Sequence, residues 1–357
     1  MITALFALSP YARHQIHVFD TQLFSTSEIA TATTRPAPQK YANLLDWLTS
    51  QGAEINSALD IQESSCGGGY GAVVTENIPN DELLFTIPRK ACITMNNVWT
   101  DISCGDAFKE LVKKAGPGAN TVCMAGYLAK EYLMMQEKDK DDSSSAILFG
   151  PYLATLPWER GVNNQEHTLY WSNEDIELLL KGSLSYQEAK DLRDEVQLAA
   201  KIMEGIIGPS IREYRGETVS SVADFSWPWE KKQPQEPLDG LAKTLTGAFV
   251  SVLTRSFQDG ESGDEEKLVP LLDMLQHSDE PNVRHAMRKV DGTVEVRARR
   301  DLKAGEELLN QYRSEAEEKM PYHRFFTRYG FVPGILEPIP NLLRDKSPIF
   351  FAQKAEV

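Results

Sequence analysis

Residues 268–283 read LVPLLDMLQHSDEPNV, and residues 298–312 read ARRDLKAGEELLNQY. Two groups stand out at the ends of this stretch: Gln276-His277-Ser278 with Pro281-Asn282, and Gly305-Glu306-Glu307 leading to Tyr312. Between them VEVRAR (294–299) alternates apolar and charged residues, the period of a half-buried strand, and Asp291-Gly292-Thr293 before it is a hairpin turn. A third group, Tyr329-Gly330-Phe331, follows downstream.

The surrounding chain bounds what such a stretch can belong to. It has 357 residues, 41% hydrophobic and 25% charged, enough to bury a sizeable core. No apolar run has the length of a membrane span, so no membrane partner is expected. The formal charge is −15, which disfavours general nucleic-acid binding, because that binding draws on neutralising phosphates with Lys and Arg. An acidic surface suits a basic partner, such as a lysine-bearing protein segment. The four cysteines, Cys66, Cys92, Cys104 and Cys123, have no C-x-x-C spacing. They read as reduced intracellular thiols, with no metal site expected.

The first forty residues are rich in Ser, Thr and Ala and carry only Asp20 and Glu28 as acids. That composition fits a disordered tail or an organelle transit peptide, so residues 1–40 are set apart from the fold. Order is expected to begin at Tyr41, where YANLLDWLTSQGA places Leu44, Leu45 and Leu48 on one helical stripe and Gly52 stops the helix. Within 41–105, the run GGGYGAVVTENIPNDELLFTIPRKACITMNNV (67–98) reads as short strands joined by tight turns. Residues 106–240 turn helical: TVCMAGYLAKEYLMMQEK, a helix capped by Ser172, and SYQEAKDLRDEVQLAAKIMEGII are the main candidates. Polar breaks at 137–145 and 229–237 read as surface loops. Strands return in 241–335, after a last helix and the acidic loop 258–267, and 336–357 is a tail. The order β-rich, helical, β-rich predicts an α+β class.

Single residues are ambiguous by themselves. Gly67-Gly68-Gly69-Tyr70-Gly71 lacks the Gly-Lys-Ser/Thr ending of a phosphate loop and the setting of a dinucleotide site, and fits a turn needing positive φ. Arg255 closes a helical pattern beside acids, as a solvated cation would. A lone His277 is commonly a core residue, and an isolated strand Tyr312 commonly packs.

Taken together, these residues resemble a SET domain, whose usual wording is N-H-S-x-x-P-N followed by G-E-E-L-x-x-x-Y. GYGAVVTENIPNDELLFTIPR resembles its opening strands. FGPYLATLPWE, LYWSNEDIELLLKGSL and SVLTRSF resemble the plant Rubisco large-subunit methyltransferase-like group, which interrupts its SET domain with a helical insertion. The resemblance covers 41–332. It implies small β-sheets with a threaded pseudoknot, S-adenosylmethionine as cofactor, and methyl transfer to a lysine of a protein substrate. Histidine methylation and a non-catalytic SET-like binding module are the alternatives. It also implies roles. Gly69 and Gly71 line the cofactor pocket, Arg255 meets the cofactor carboxylate with Asp273 orienting it, and Gln276 and His277 bind the amino end and the adenine. Tyr312 is the catalytic residue, and Tyr329 and Phe331 wall the substrate channel. Gln276 stands where the family has Asn, which implies altered cofactor affinity. The group usually continues into a helical substrate-binding domain, for which little sequence follows Val332. A monomer is expected, in the cytoplasm or nucleus, or in a plastid or mitochondrion if residues 1–40 are a targeting segment.

Overall fold

The computed structural model describes residues 37–66, 69–138, 147–217, 237–258, 266–312 and 320–333. The first helix, α1 (Gln39–Ser50), buries Tyr41, Leu44 and Leu48 and starts two residues before the expected boundary. The strands β1 (Leu59–Glu63) and β2 (Tyr70–Val74) form an antiparallel hairpin. β1 had no counterpart in the sequence reading: its Leu59 and Ile61 are too few to show a period. β3 (Leu83–Ile87) pairs not with β2 but with a strand far downstream, so the two opening strands belong to different sheets.

After β4 (Ile93–Thr94) and α2 (Met95–Trp99) come α3 (Gly105–Ala115), α4 (Asn120–Lys138) and the short α5 (Gly150–Leu153). The Ser172 hydroxyl caps α6 (Asn173–Leu180) by accepting from the Asp175 N–H at 2.9 Å. α7 (Ser185–Tyr214) runs past the expected end at Ile207 and straight through Pro209. Its buried face, from Val196 to Ile211, outweighs the single backbone hydrogen bond that proline forfeits. α8 (Leu241–Arg255) packs mainly on α4 and closes the helical stretch.

The second set of strands is β5 (Ser256–Gln258), β6 (Glu266–Leu268), β7 (Gln276–His277), β8 (Val283–Met287), β9 (Val294–Ala298) and β10 (Leu309–Asn310), followed by α9 (Tyr322–Tyr329). β5 and β6 pair antiparallel, and β6 also pairs with β4. β3, β9 and β8 make a second antiparallel sheet, in which Val294, Val296 and Ala298 of β9 face inward as the alternation of VEVRAR predicted. β7 and β10 form a short parallel pair. One continuous core joins α1, the sheets and the helices α2–α5, α7 and α8. A smaller apolar cluster joins Trp171, Ile176, Leu180 and Ala189 to Phe326 of α9. Residues 1–36, the greater part of the polar breaks, and 334–357 lie outside the described residues. Among the described residues no helix is long and apolar enough to cross a membrane, and no cluster of three or more His, Cys, Asp or Glu could hold a metal ion.

Candidate active site

The site is built where the 274–282 segment crosses the 307–312 segment. The parallel β7–β10 register sets Gln276 opposite Leu309 and His277 opposite Asn310. Asn282 fastens the crossing: its side-chain amide donates to the Glu307 carbonyl at 2.8 Å, and its Oδ1 accepts from the Leu309 N–H at 2.7 Å. Asn282 is buried, so both bonds act in a low-dielectric setting where leaving either group unpaired would be costly. His277 Nδ1 accepts from the Tyr312 N–H at 3.3 Å, which leaves the ring proton on Nε2, 3.6 Å from Asp279 Oδ1. Gln276 Nε2 donates to the Tyr70 carbonyl at 3.4 Å and to the Met274 carbonyl at 3.3 Å.

Beside the crossing lies a buried charged pair. Arg255, the last residue of α8, donates from Nη1 to the Asp273 backbone carbonyl at 3.2 Å and to Asp273 Oδ2 at 3.3 Å. Tyr152 donates its hydroxyl to the same Oδ2 at 2.8 Å. Asp273 Oδ1 accepts no hydrogen bond from the described residues. Burial works against the Arg255 charge, but Asp273, Tyr152 and Tyr312 outweigh it, and the guanidinium is held more firmly protonated than usual. Burial raises the Asp273 carboxyl, with Arg255 and Tyr152 pulling the other way. Tyr41 packs tilted against Tyr70 with ring centres 4.8 Å apart and donates to Asn163 Oδ1 at 2.9 Å. Burial pushes the Tyr41 phenol up to about 12. Lys40, next along α1, is lowered by burial and by Arg255.

The third part is aromatic. Tyr312 donates its hydroxyl to the Leu275 carbonyl at 3.0 Å. Its ring lies 5.2 Å from His277, 5.2 Å from Tyr329 and 6.3 Å from Phe331. Phe325 completes the cluster, 5.0 Å from His277, 4.6 Å from Tyr329 and 5.2 Å from Phe331. Burial pushes the Tyr312 phenol well above its usual value despite Arg255, so it remains a neutral hydroxyl at physiological pH.

The two glycines flanking Tyr70 serve different ends. Gly69 sits at φ +84°, and a Cβ there would meet the Asn163 backbone at 2.7 Å. Gly71 lies on β2 outside the positive-φ positions, and a Cβ there would come within 2.4 Å of Glu307 Oε1. The turn expectation therefore describes Gly69, while Gly71 is glycine for space.

Residues 69–313 match the family model for the SET domain. The chain belongs to the SET-domain family. It is 26% identical over 311 residues to the N-lysine methyltransferase setd6 of Xenopus laevis, covering 83% of this chain and 57% of that protein. It is 21% identical over 357 residues to the chloroplastic Rubisco large-subunit N-methyltransferase of Pisum sativum, covering 94% of this chain and 60% of that protein. The chain thus spans about three-fifths of the length of the curated relatives it matches. Among solved structures, Rubisco LSMT bound to AdoMet superposes with a TM-score of 0.58 at 18% identity, covering 84% of this chain and 57% of that one. The SET domain of LSMT bound to lysine and AdoHcy gives 0.57 at 17% identity, over 82% and 57%.

The SET fold brings the sequence-selected residues into two adjoining groups. Arg255 pairs with Asp273, Gln276 reaches the Tyr70 carbonyl between Gly69 and Gly71, and His277 packs on Tyr312, which meets Tyr329 and Phe331. Sequence reasoning missed Tyr41, Tyr152, Phe325 and Glu307. Tyr152 lies inside the quoted FGPYLATLPWE, but nothing local marks its hydroxyl as the partner of an aspartate 121 positions away. Phe325 sits one helical turn before Tyr329, a spacing that was available as a signal.

Proposed function

We propose that this chain transfers a methyl group from S-adenosylmethionine to the side-chain nitrogen of a lysine in a protein substrate. The observation that carries the reading is Tyr312: a neutral hydroxyl, its proton committed to the Leu275 carbonyl, set inside an aromatic cluster beside a buried Arg–Asp pair. The N-lysine methyltransferase relatives support the same reaction. The polar groups fit the cofactor. Arg255 uses only Nη1 on Asp273, so its other N–H groups suit a carboxylate, and the open Asp273 Oδ1 strengthens the negative field that keeps that fork charged. The cofactor would lie along Gly69 and Gly71, with Arg255, oriented by Asp273, at its carboxylate and with Gln276 and His277 at its amino and adenine ends. Bound there, it supplies a methyl on a sulfonium, which is already a good leaving group.

The protein's share of the work is then positional. A lysine amine must lose its proton, which costs about 4–5 kcal/mol at pH 7. Enclosure by Tyr312, Tyr329, Phe325 and Phe331 removes water, and desolvation lowers the amine pKa. The Tyr312 hydroxyl, donating to Leu275, keeps its lone pairs for an amine N–H and orients the nitrogen in line for attack. Tyr329 and Phe331 restrict the approach. The substrate is a protein segment carrying lysine, for which an acidic chain of −15 suits a basic neighbourhood.

One observation favours a second reading. The Gln276 amide already occupies the Tyr70 carbonyl, which fits a SET-like module that binds protein without using cofactor. Calorimetric titration with S-adenosylmethionine separates the two: micromolar binding supports the enzyme, and no heat of binding rejects it. Methyl transfer from labelled cofactor into lysate proteins, with identification of the modified residue, then tests lysine against histidine.

A further inference from the structure

Glu307 is nine-tenths buried and is held on three sides. Its backbone bridges to Val73 of β2, and its carbonyl accepts from Asn282 at 2.8 Å. Its side chain leaves the crossing altogether. Oε2 accepts both the backbone N–H of Ser65 at 2.9 Å and the Ser65 hydroxyl at 2.7 Å, 242 positions back in sequence. Oε1 lies in the space that a side chain at Gly71 would fill. Ser65 lies in the turn that follows β1 and Gly71 on β2, so one carboxylate meets both sides of the β1–β2 connection. Burial and the Glu307 charge push the neighbouring Cys66 thiol up, which keeps a second anion out of the same space.

We infer that Glu307 is a positioning residue, tying the β1–β2 hairpin to the crossing so that the Gly69–Gly71 strand start keeps the shape that receives the cofactor. The inference rests on the cofactor reading above, but the tie itself is independent of ligand. Ser65 supplies two donors to one oxygen of the buried Glu307 side chain, and the other oxygen, which has no hydrogen-bond partner among the described residues, takes the room that a side chain at Gly71 would need. Replacing any of the three residues should loosen the same contact.

The test uses the full chain and the variants Ser65→Ala, Glu307→Gln, Gly71→Ala and Gly71→Ala/Glu307→Gln. In the ligand-free wild type the Ser65 amide should be protected from hydrogen exchange, and Glu307→Gln and Gly71→Ala should each speed that exchange about tenfold. S-adenosylmethionine affinity should fall about tenfold in each of these single variants and about threefold in Ser65→Ala. The double variant should lose little more than either single one, because both break one contact. In turnover the loss should fall on the KM for cofactor more than on kcat. Unaltered Ser65 exchange, or losses that multiply in the double variant, would overturn the tie. If the wild type binds no S-adenosylmethionine, the cofactor reading fails, and the exchange measurement alone decides the tie. If Glu307→Gln or Gly71→Ala does not fold, Ser65→Ala, which deletes the hydroxyl bond and keeps the backbone one, carries the affinity readout, and unchanged affinity in it rejects the inference.

Discussion

Gln276 and Tyr312 differ in what one atom group does. The extra methylene of Gln276 carries its amide to the Tyr70 carbonyl at 3.4 Å while it also donates to Met274. An Asn there would fall short of β2 by about the length of one carbon–carbon bond. Gln276→Asn should therefore release the Tyr70 carbonyl and lose less rotamer entropy on ordering, tightening S-adenosylmethionine binding by about 1 kcal/mol, roughly fivefold in a calorimetric titration. Weaker binding would mean that this pocket has adapted to Gln. Tyr312→Phe removes one hydroxyl and its bond to Leu275, a stability loss of about 1 kcal/mol, while the ring keeps its place against His277 and Tyr329. Turnover should fall about a hundredfold or more with cofactor affinity nearly unchanged, since the hydroxyl is needed near the transition state. Tyr329→Phe deletes the same atom from a residue whose hydroxyl donates to the Tyr312 carbonyl over a long 3.5 Å, and its effect should be smaller. Equal slight effects in single-turnover assays would return Tyr312 to ordinary packing.

At the scale of elements, the channel walls hang on α9 and on the turn that receives it. Tyr329 ends α9, and Gly330 after it lies at φ +83° where a Cβ would meet the His167 N–H nitrogen at 2.8 Å. His167 is fully buried and caps the 168–170 turn, with Nδ1 accepting from the Leu169 N–H at 3.1 Å. Burial lowers its pKa from 6.5 to about 4, although the Arg328 and Thr327 carbonyls pull it upward. The folded chain therefore binds fewer protons than the unfolded one between those values. Stability should be level above pH 6.5, decline as pH falls towards 4, and have lost about 3 kcal/mol from this group below that. Urea unfolding at stepped pH measures this, and His167→Gln should flatten the slope in that window. A wild-type curve with no such slope would show that His167 is accessible to protons in the fold. The helices themselves were largely legible, because amphipathic spacing and the Ser172 cap are local. The end of α7 was not, because what carries the helix through Pro209 is its packing and not its sequence neighbours.

For the whole molecule, the first described helix lies against the site as well as the scaffold. α1 begins at Gln39, the Tyr41 N–H donates to the Pro38 carbonyl at 3.0 Å, and Lys40 lies close enough to Arg255 for its pKa to be lowered. A chain starting at Ala37 should keep the full-length melting temperature. One starting at Tyr41 removes the first turn and places a new charged terminus on a residue only 1% exposed, and should melt several degrees lower, as calorimetry would read. Equal melting temperatures would show that the helix start contributes nothing.

What the sequence determined alone is the set of short-range signals: the strand alternation of 294–299, the helix stripes and caps, and the ordered wording from Gln276 to Tyr312 that marks a SET domain. These are legible because each signal is built of groups a few residues long, read in their order along the chain. The tertiary structure decided the rest. It paired β3 with β9 and β7 with β10, set Tyr152 on Asp273, gave Asn282 its place in the crossing, and showed that Gly71 is needed for the Glu307 carboxylate. Together with Ser65 on Glu307, those contacts join residues 25 to 242 positions apart, and no local propensity encodes them. They form because a buried carboxylate or amide must find its partners wherever the fold places them.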